Sequence, residues 1–113
     1  MKPLLLAAVL AATAFASVAW TGLVYPHDAM PTAAQPLGWT YPWSCCSGND
    51  CRRADGEVAE RPEGYQIAET GEIVPYGDKR VKDSPDGEFH WCRHMTGQHA
   101  GKTICLFVPP RGF

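Results

Sequence analysis

The chain lacks what would carry it through a membrane or onto a nucleic acid. Its longest apolar run, Leu4 to about Ala16, is shorter than the roughly 20 residues that span a bilayer. Neither charge sign dominates: ten basic residues stand against twelve acidic ones, a formal charge of −2. Nucleic-acid binding needs a basic field that releases phosphate counterions, so no nucleic-acid partner is expected, and docking on anionic lipid is not expected either. After the first 19 residues helical periodicity never lasts beyond about one turn, which argues against helical bundles and coiled coils. Internal repeats are absent. So are G-x-S-x-G, H-E-x-x-H, a phosphate-cradling glycine loop and C-x-x-C, which leaves the common hydrolase, metalloprotease, nucleotide-binding and thioredoxin-like signatures without a counterpart.

What the chain has is an export signal and cysteine. Lys2 precedes the apolar run, and two small-x-small sites close it, Ala14-Phe15-Ala16 before Ser17 and Ser17-Val18-Ala19 before Trp20. That is a signal-peptide layout. We expect cleavage, preferentially after Ala19, and no stable membrane span thereafter. No cysteine stands at either cleavage position, so a lipid anchor is not expected. Removing residues 1–19 takes Lys2 and no acidic residue, leaving nine basic against twelve acidic residues and a formal charge of −3.

Residues 20–37, with Pro26, Pro31 and Pro36, read as a Pro/Ala-rich tail or a strap over the domain, because each proline removes a donor and favours extended backbone before it. Residues 38–113 read as one cysteine-rich domain. Trp39, Tyr41 and Trp43 alternate, which in an extended segment puts three rings on one face. Ser47-Gly48-Asn49-Asp50 is a dense turn signal. Residues 52–64 read as loop, with one short helical turn at Gly56–Glu60. Tyr65–Glu69 and Glu72–Pro75 flank Thr70-Gly71 as a hairpin, and Ser84-Pro85-Asp86-Gly87 is a turn with proline at its second position. Glu88–His94 and Thr103–Val108 form a second hairpin. The expected fold is a small, disulfide-stabilised, mainly β domain of two antiparallel hairpins, with an irregular aromatic and cysteine-rich N-terminal segment.

Cys45, Cys46, Cys51, Cys92 and Cys105 all follow the signal. In an exported chain such cysteines normally form disulfides, and a domain this small needs them. In the second hairpin Cys92 faces Cys105, His90 faces Phe107 and His94 faces Thr103. We therefore expect a Cys92–Cys105 bridge, whose loop of about 14 residues contributes roughly 3 kcal/mol, and a second bridge from Cys45 or Cys46 to Cys51. The rival topology ties Cys45 or Cys46 to Cys92 or Cys105. The odd cysteine is left as a thiol or as the link of a disulfide-bonded dimer.

Three constellations carry chemistry. His90, Cys92 and His94 share a face of their strand and are ligand types that zinc and copper prefer. This metal reading competes with Cys92 as half of a disulfide, and no cofactor is the primary expectation. A leftover thiol near a histidine is a candidate Cys–His nucleophile. Trp39, Tyr41 and Trp43 are either core or a recognition platform, with core favoured. His27-Asp28 and His99 read as solvated surface positions, and Asp83, Asp86 and Glu88 as a solvated acidic turn without calcium-loop spacing.

Taken together, the blocks Tyr-Pro-Trp-Ser-Cys45-Cys46-Ser-Gly-Asn-Asp-Cys51, Ser84-Pro85-Asp86-Gly87-Glu88-Phe89-His90-Trp91-Cys92 and Cys105-Leu106-Phe107-Val108-Pro109-Pro110 resemble an uncharacterised group of small exported bacterial proteins. The resemblance covers about residues 39–113. It implies export from a Gram-negative cell, to periplasm or medium, and a shared cysteine framework. It implies no activity and carries over no catalytic residue. The expected function is a non-catalytic binding or envelope-associated module with a protein or envelope component as partner. The alternatives are a zinc- or copper-binding protein and, more remotely, a thiol-dependent enzyme.

Overall fold

The computed structural model describes residues 27–46 and 50–110. The export signal with its cleavage sites, tail residues 20–26 and the Ser47–Asn49 part of the first turn lie outside the described residues. The expected mainly β class is what the chain adopts. Nine strands and one four-residue helical turn occur among the described residues.

The centre is the second hairpin. Strand β8, His90–Arg93, pairs antiparallel with β9, Thr103–Val108, and its register is His90 to Phe107, Trp91 to Leu106 and Cys92 to Cys105. That register is the one the sequence predicts. An irregularity after Cys92 then brings Arg93, not His94, opposite Thr103. Two outer strands complete this sheet: β3, Asp50–Arg53, lies antiparallel beside β8, and β7, Val81–Asp83, lies parallel beside β9.

A second sheet consists of β4, Val58–Arg61, β5, Gly64–Ile67, and β6, Ile73–Val74, in that order. β5 and β6 form the hairpin expected around Thr70-Gly71. The helical turn expected at Gly56–Glu60 does not form, because that segment pairs with β5 instead. Gly64 permits the tight packing of β6: a β-carbon there would stand 2.3 Å from the Val74 carbonyl oxygen.

The strap is held by a two-residue pairing of β1, Asp28–Ala29, against β2, Trp39–Thr40. It leads into the helical turn α1, Trp43–Cys46. Alternation along β8 and β9 sorts the core into two faces. Cys92, Cys105 and Phe107 join Ala29, Tyr41, Cys45, Cys46 and Cys51 on one side. Trp91, Leu106 and Val108 join Tyr65, Ile67 and Val74 on the other, under the second sheet.

The disulfides correct the sequence reading. Cys92 and Cys105 face each other but are not bonded. Cys51 bonds to Cys92 and Cys45 bonds to Cys105. β8 is a central strand, so Cys92 has a cross-strand neighbour on both sides, and Cys51 on β3 is its partner. Cys105 is then bridged to α1. The bridges span sequence separations of 60 and 41 residues, and the chain-entropy model values each at about 4 kcal/mol, above the hairpin bridge they replace. Each joins segments that lie far apart in the chain.

Candidate functional site

On the disulfide side of the central sheet the strap, α1, the Ser84–Gly87 turn and β8 converge. The hub of that convergence is Asp86. Its Oδ1 accepts hydrogen bonds from Ser84 Oγ at 2.8 Å and from the Glu88 amide at 3.0 Å. Its Oδ2 accepts from Trp39 Nε1 at 3.0 Å, and His90 Nε2 lies 2.9 and 2.8 Å from the two oxygens. Burial opposes the charge, but the bonds from Trp39, Ser84, the Glu88 amide and His90 outweigh it and hold the carboxyl at about 2.

An ionised Asp86 fixes the tautomer of His90. Nε2 donates to the carboxylate, which leaves Nδ1 to accept from the Tyr41 hydroxyl, 2.7 Å away. Tyr41 stays protonated, because burial first and then the negative field of Asp86 push its pKa upward. Trp39, Tyr41, His90 and Phe107 close around this network with ring centres 4.8–6.5 Å apart, mostly edge to face. Every polar atom here has a partner inside the protein, an arrangement that specifies structure.

Beside the hub lies a second polar group. Cys46, the cysteine outside the two bridges, is 3 % exposed, and its Sγ lies 3.1 Å from His27 Nδ1. The other ring nitrogen of His27 is 2.7 Å from the Cys51 carbonyl oxygen. A carbonyl only accepts, so Nε2 carries the hydrogen and the Nδ1 lone pair faces the thiol. The His27 ring also meets Tyr41 edge-on at 5.2 Å.

The structure takes apart the strand-based metal trio of His90, Cys92 and His94. Both ring nitrogens of His90 are engaged, Cys92 is bonded to Cys51, and His94 sits beyond the irregularity with its ring 6.1 Å from that of exposed His99. Among the described residues no group of three or more His, Cys, Asp or Glu side chains could hold a metal. The aromatic trio divides as well. Tyr41 is core and Trp39 packs against it, but α1 begins at Trp43 and rotates that ring outward, leaving it 55 % exposed.

Two surface expectations also change. Asp86 is buried and Glu88 pairs with Arg53, so only Asp83 of the acidic turn stands in solvent. His27 is exposed as expected, yet bonded through both nitrogens.

Among the described residues, surface cavities of about 290, 460 and 380 Å³ lie along the β4–β5 hairpin, beside Glu72 and Arg80, and between Tyr65, Tyr76 and Val108. None of the three is lined by His27, Cys46 or His90. Among the described residues no helix is long and apolar enough to cross a membrane. No protein-family model, curated protein or solved structure matches the chain.

Proposed function

We propose that this protein is an exported, disulfide-stapled binding module without catalytic activity, and that Trp43 anchors its contact with a protein or envelope component. One observation carries this reading. The groups with chemical potential, Asp86, His90 and four of the five cysteines, are buried and committed to one another, whereas a large ring stands in solvent on the turn they immobilise. Trp43 is two residues from Cys45, whose bridge to β9 fixes the direction of α1. A rigid exposed tryptophan is a typical interface anchor, because little side-chain freedom is lost when it docks. Export agrees with both bridges, since disulfides persist in oxidising compartments. The sequence blocks resembling small exported Gram-negative proteins agree with it too.

The test places a photo-cross-linking phenylalanine analogue at position 43 of the chain expressed with its own signal in a Gram-negative host, with exposed Lys79 as the control position. Irradiation should give a discrete adduct from position 43 and none from 79. Equal or absent cross-linking at the two positions would refute Trp43 as the anchor.

A further inference from the structure

We infer that the cleft between the two sheets binds a small primary ammonium ion, an alkylamine in its protonated form. The cleft is the cavity of about 380 Å³ lined by Tyr65, Tyr76, Val81, Asp83, Val108 and Pro109, within the roughly 300–1,000 Å³ of small-molecule sites. Its walls come from both sheets. Tyr65 lies on β5, while alternation along β7 puts Val81 and Asp83 on one side, with Asp83 beside Val108 of β9. Tyr65 is the residue that points to a ligand. It is only 4 % exposed, yet among the described residues its hydroxyl has no hydrogen-bond partner. The hydroxyl is unbonded without being sealed off, so it reaches solvent through the cavity that its residue lines. A buried tyrosine ordinarily bonds its hydroxyl within the protein; here the cavity is where a partner can reach it.

Charge fixes the sign of that partner. Among the described residues Asp83 is the only charged one on the wall, and its exposed carboxylate forms no ion pair or hydrogen bond. Lys82 alternates to the other side of β7, and Arg80 is held by Asp78 and Glu72. The field in the cleft therefore favours a cation. The rings of Tyr65 and Tyr76 both line it, nearly perpendicular at 77° with centres 4.8 Å apart, and ring faces attract cations. Tyr76 donates its hydroxyl to the Arg61 carbonyl oxygen, which fixes that ring before any ligand arrives. A primary ammonium brings three N–H donors, which the Asp83 carboxylate and the Tyr65 oxygen accept. Its alkyl chain then covers Val81, Val108 and Pro109. No residue of α1 takes part, so the site stands independently of the role given to Trp43.

The full chain, exported with its own signal and labelled with nitrogen-15, is titrated with butylammonium, 1-butanol and butyrate at neutral pH and followed by amide shifts. Butylammonium should give saturable shifts at Tyr65, Tyr76, Asp83 and Val108 with a Kd of about 1 mM or tighter. Butanol, with the same chain and no charge, and butyrate, with the opposite charge, should bind about tenfold more weakly or worse. Asp83→Asn, at an exposed position, should weaken butylammonium about tenfold, and Tyr65→Phe, which keeps the ring, about fivefold. Trimethylbutylammonium keeps the charge but has no N–H to donate, so its affinity should be the same for the wild type and Tyr65→Phe. No saturable shift at these four residues, butanol binding as tightly as butylammonium, or either variant binding butylammonium as the wild type does would overturn the inference.

Discussion

At the scale of single residues, Asp86 shows how a short polar side chain organises what surrounds it. Five donor contacts to one carboxylate tie the strap, the turn and β8 together. The depressed carboxyl, at about 2 against an ordinary 3.8, gives a definite sign to the pH dependence. An unfolded chain binds a proton at Asp86 below about pH 4, whereas the folded one resists until about pH 2. The stabilisation is therefore complete above pH 4 and is lost as pH falls from 4 to 2, an effect of about 2 kcal/mol. Urea unfolding at pH 5, 4, 3 and 2 should show that loss in the wild type and a shallower one in Asp86→Asn. Equal slopes would mean that Asp86 is not held this way. Tyr41→Phe tests the next bond in the chain. It removes only the hydroxyl, leaves His90 Nδ1 buried without its donor, and should cost about 1–3 kcal/mol by the same measurement.

Between residues and the whole chain stand the elements, and their legibility followed from how local their causes are. The β8–β9 register could be read from Glu88–His94 and Thr103–Val108 because a hairpin centred on the loop near Gln98 and His99 has its pairing set by the length of that loop. The Thr70-Gly71 hairpin was legible for the same reason. β7 was not: Val81-Lys82-Asp83 has no apolar alternation, and its parallel place beside β9 is set by the Arg80 and Ser84 backbone bonds to β9. The strap pairing is two residues long, too short for any pattern to announce. The bridge connectivity was hidden behind β3, since nothing local says that Asp50–Arg53 docks on β8 rather than remaining a turn. The candidate site was legible only in its parts. An odd thiol was expected, but His27, read as a solvated surface residue, lies beside it from 19 residues upstream, which depends on how the strap returns. The connectivity is directly checkable. Cleavage before Asp50 separates Cys45 and Cys46 from Cys51, and cleavage after Arg93 and Lys102 separates Cys92 from Cys105. The Cys51 peptide should be joined to the Cys92 peptide, and the Cys45–Cys46 peptide to the Cys105 peptide. A Cys92–Cys105 pair would refute the observed arrangement.

For the molecule as a whole, the distribution of the bridges matters more than their number. Both lie on the strap side of the central sheet, in the core that also holds the Asp86 network, and the β4–β5–β6 side contains none. The second side has Tyr65, Ile67, Val74, Trp91, Leu106 and Val108 to bury, an ordinary apolar core. The first side is small, polar at its centre and closed by a strap whose described residues pair over two positions. Two bridges at about 4 kcal/mol each contribute as much as the whole net stability of a typical small domain, about 5–15 kcal/mol. β8 and β9 belong to both cores, so the second side cannot keep its sheet once the first releases it. Reduction is therefore expected to unfold the entire domain rather than free the strap alone. Circular dichroism in excess reductant at pH 7 should show near-ultraviolet aromatic and far-ultraviolet strand signals falling together at 25 °C. Loss of the aromatic signal with the strand signal intact would show the two cores to be separable, and the bridges would then serve the strap-side site alone.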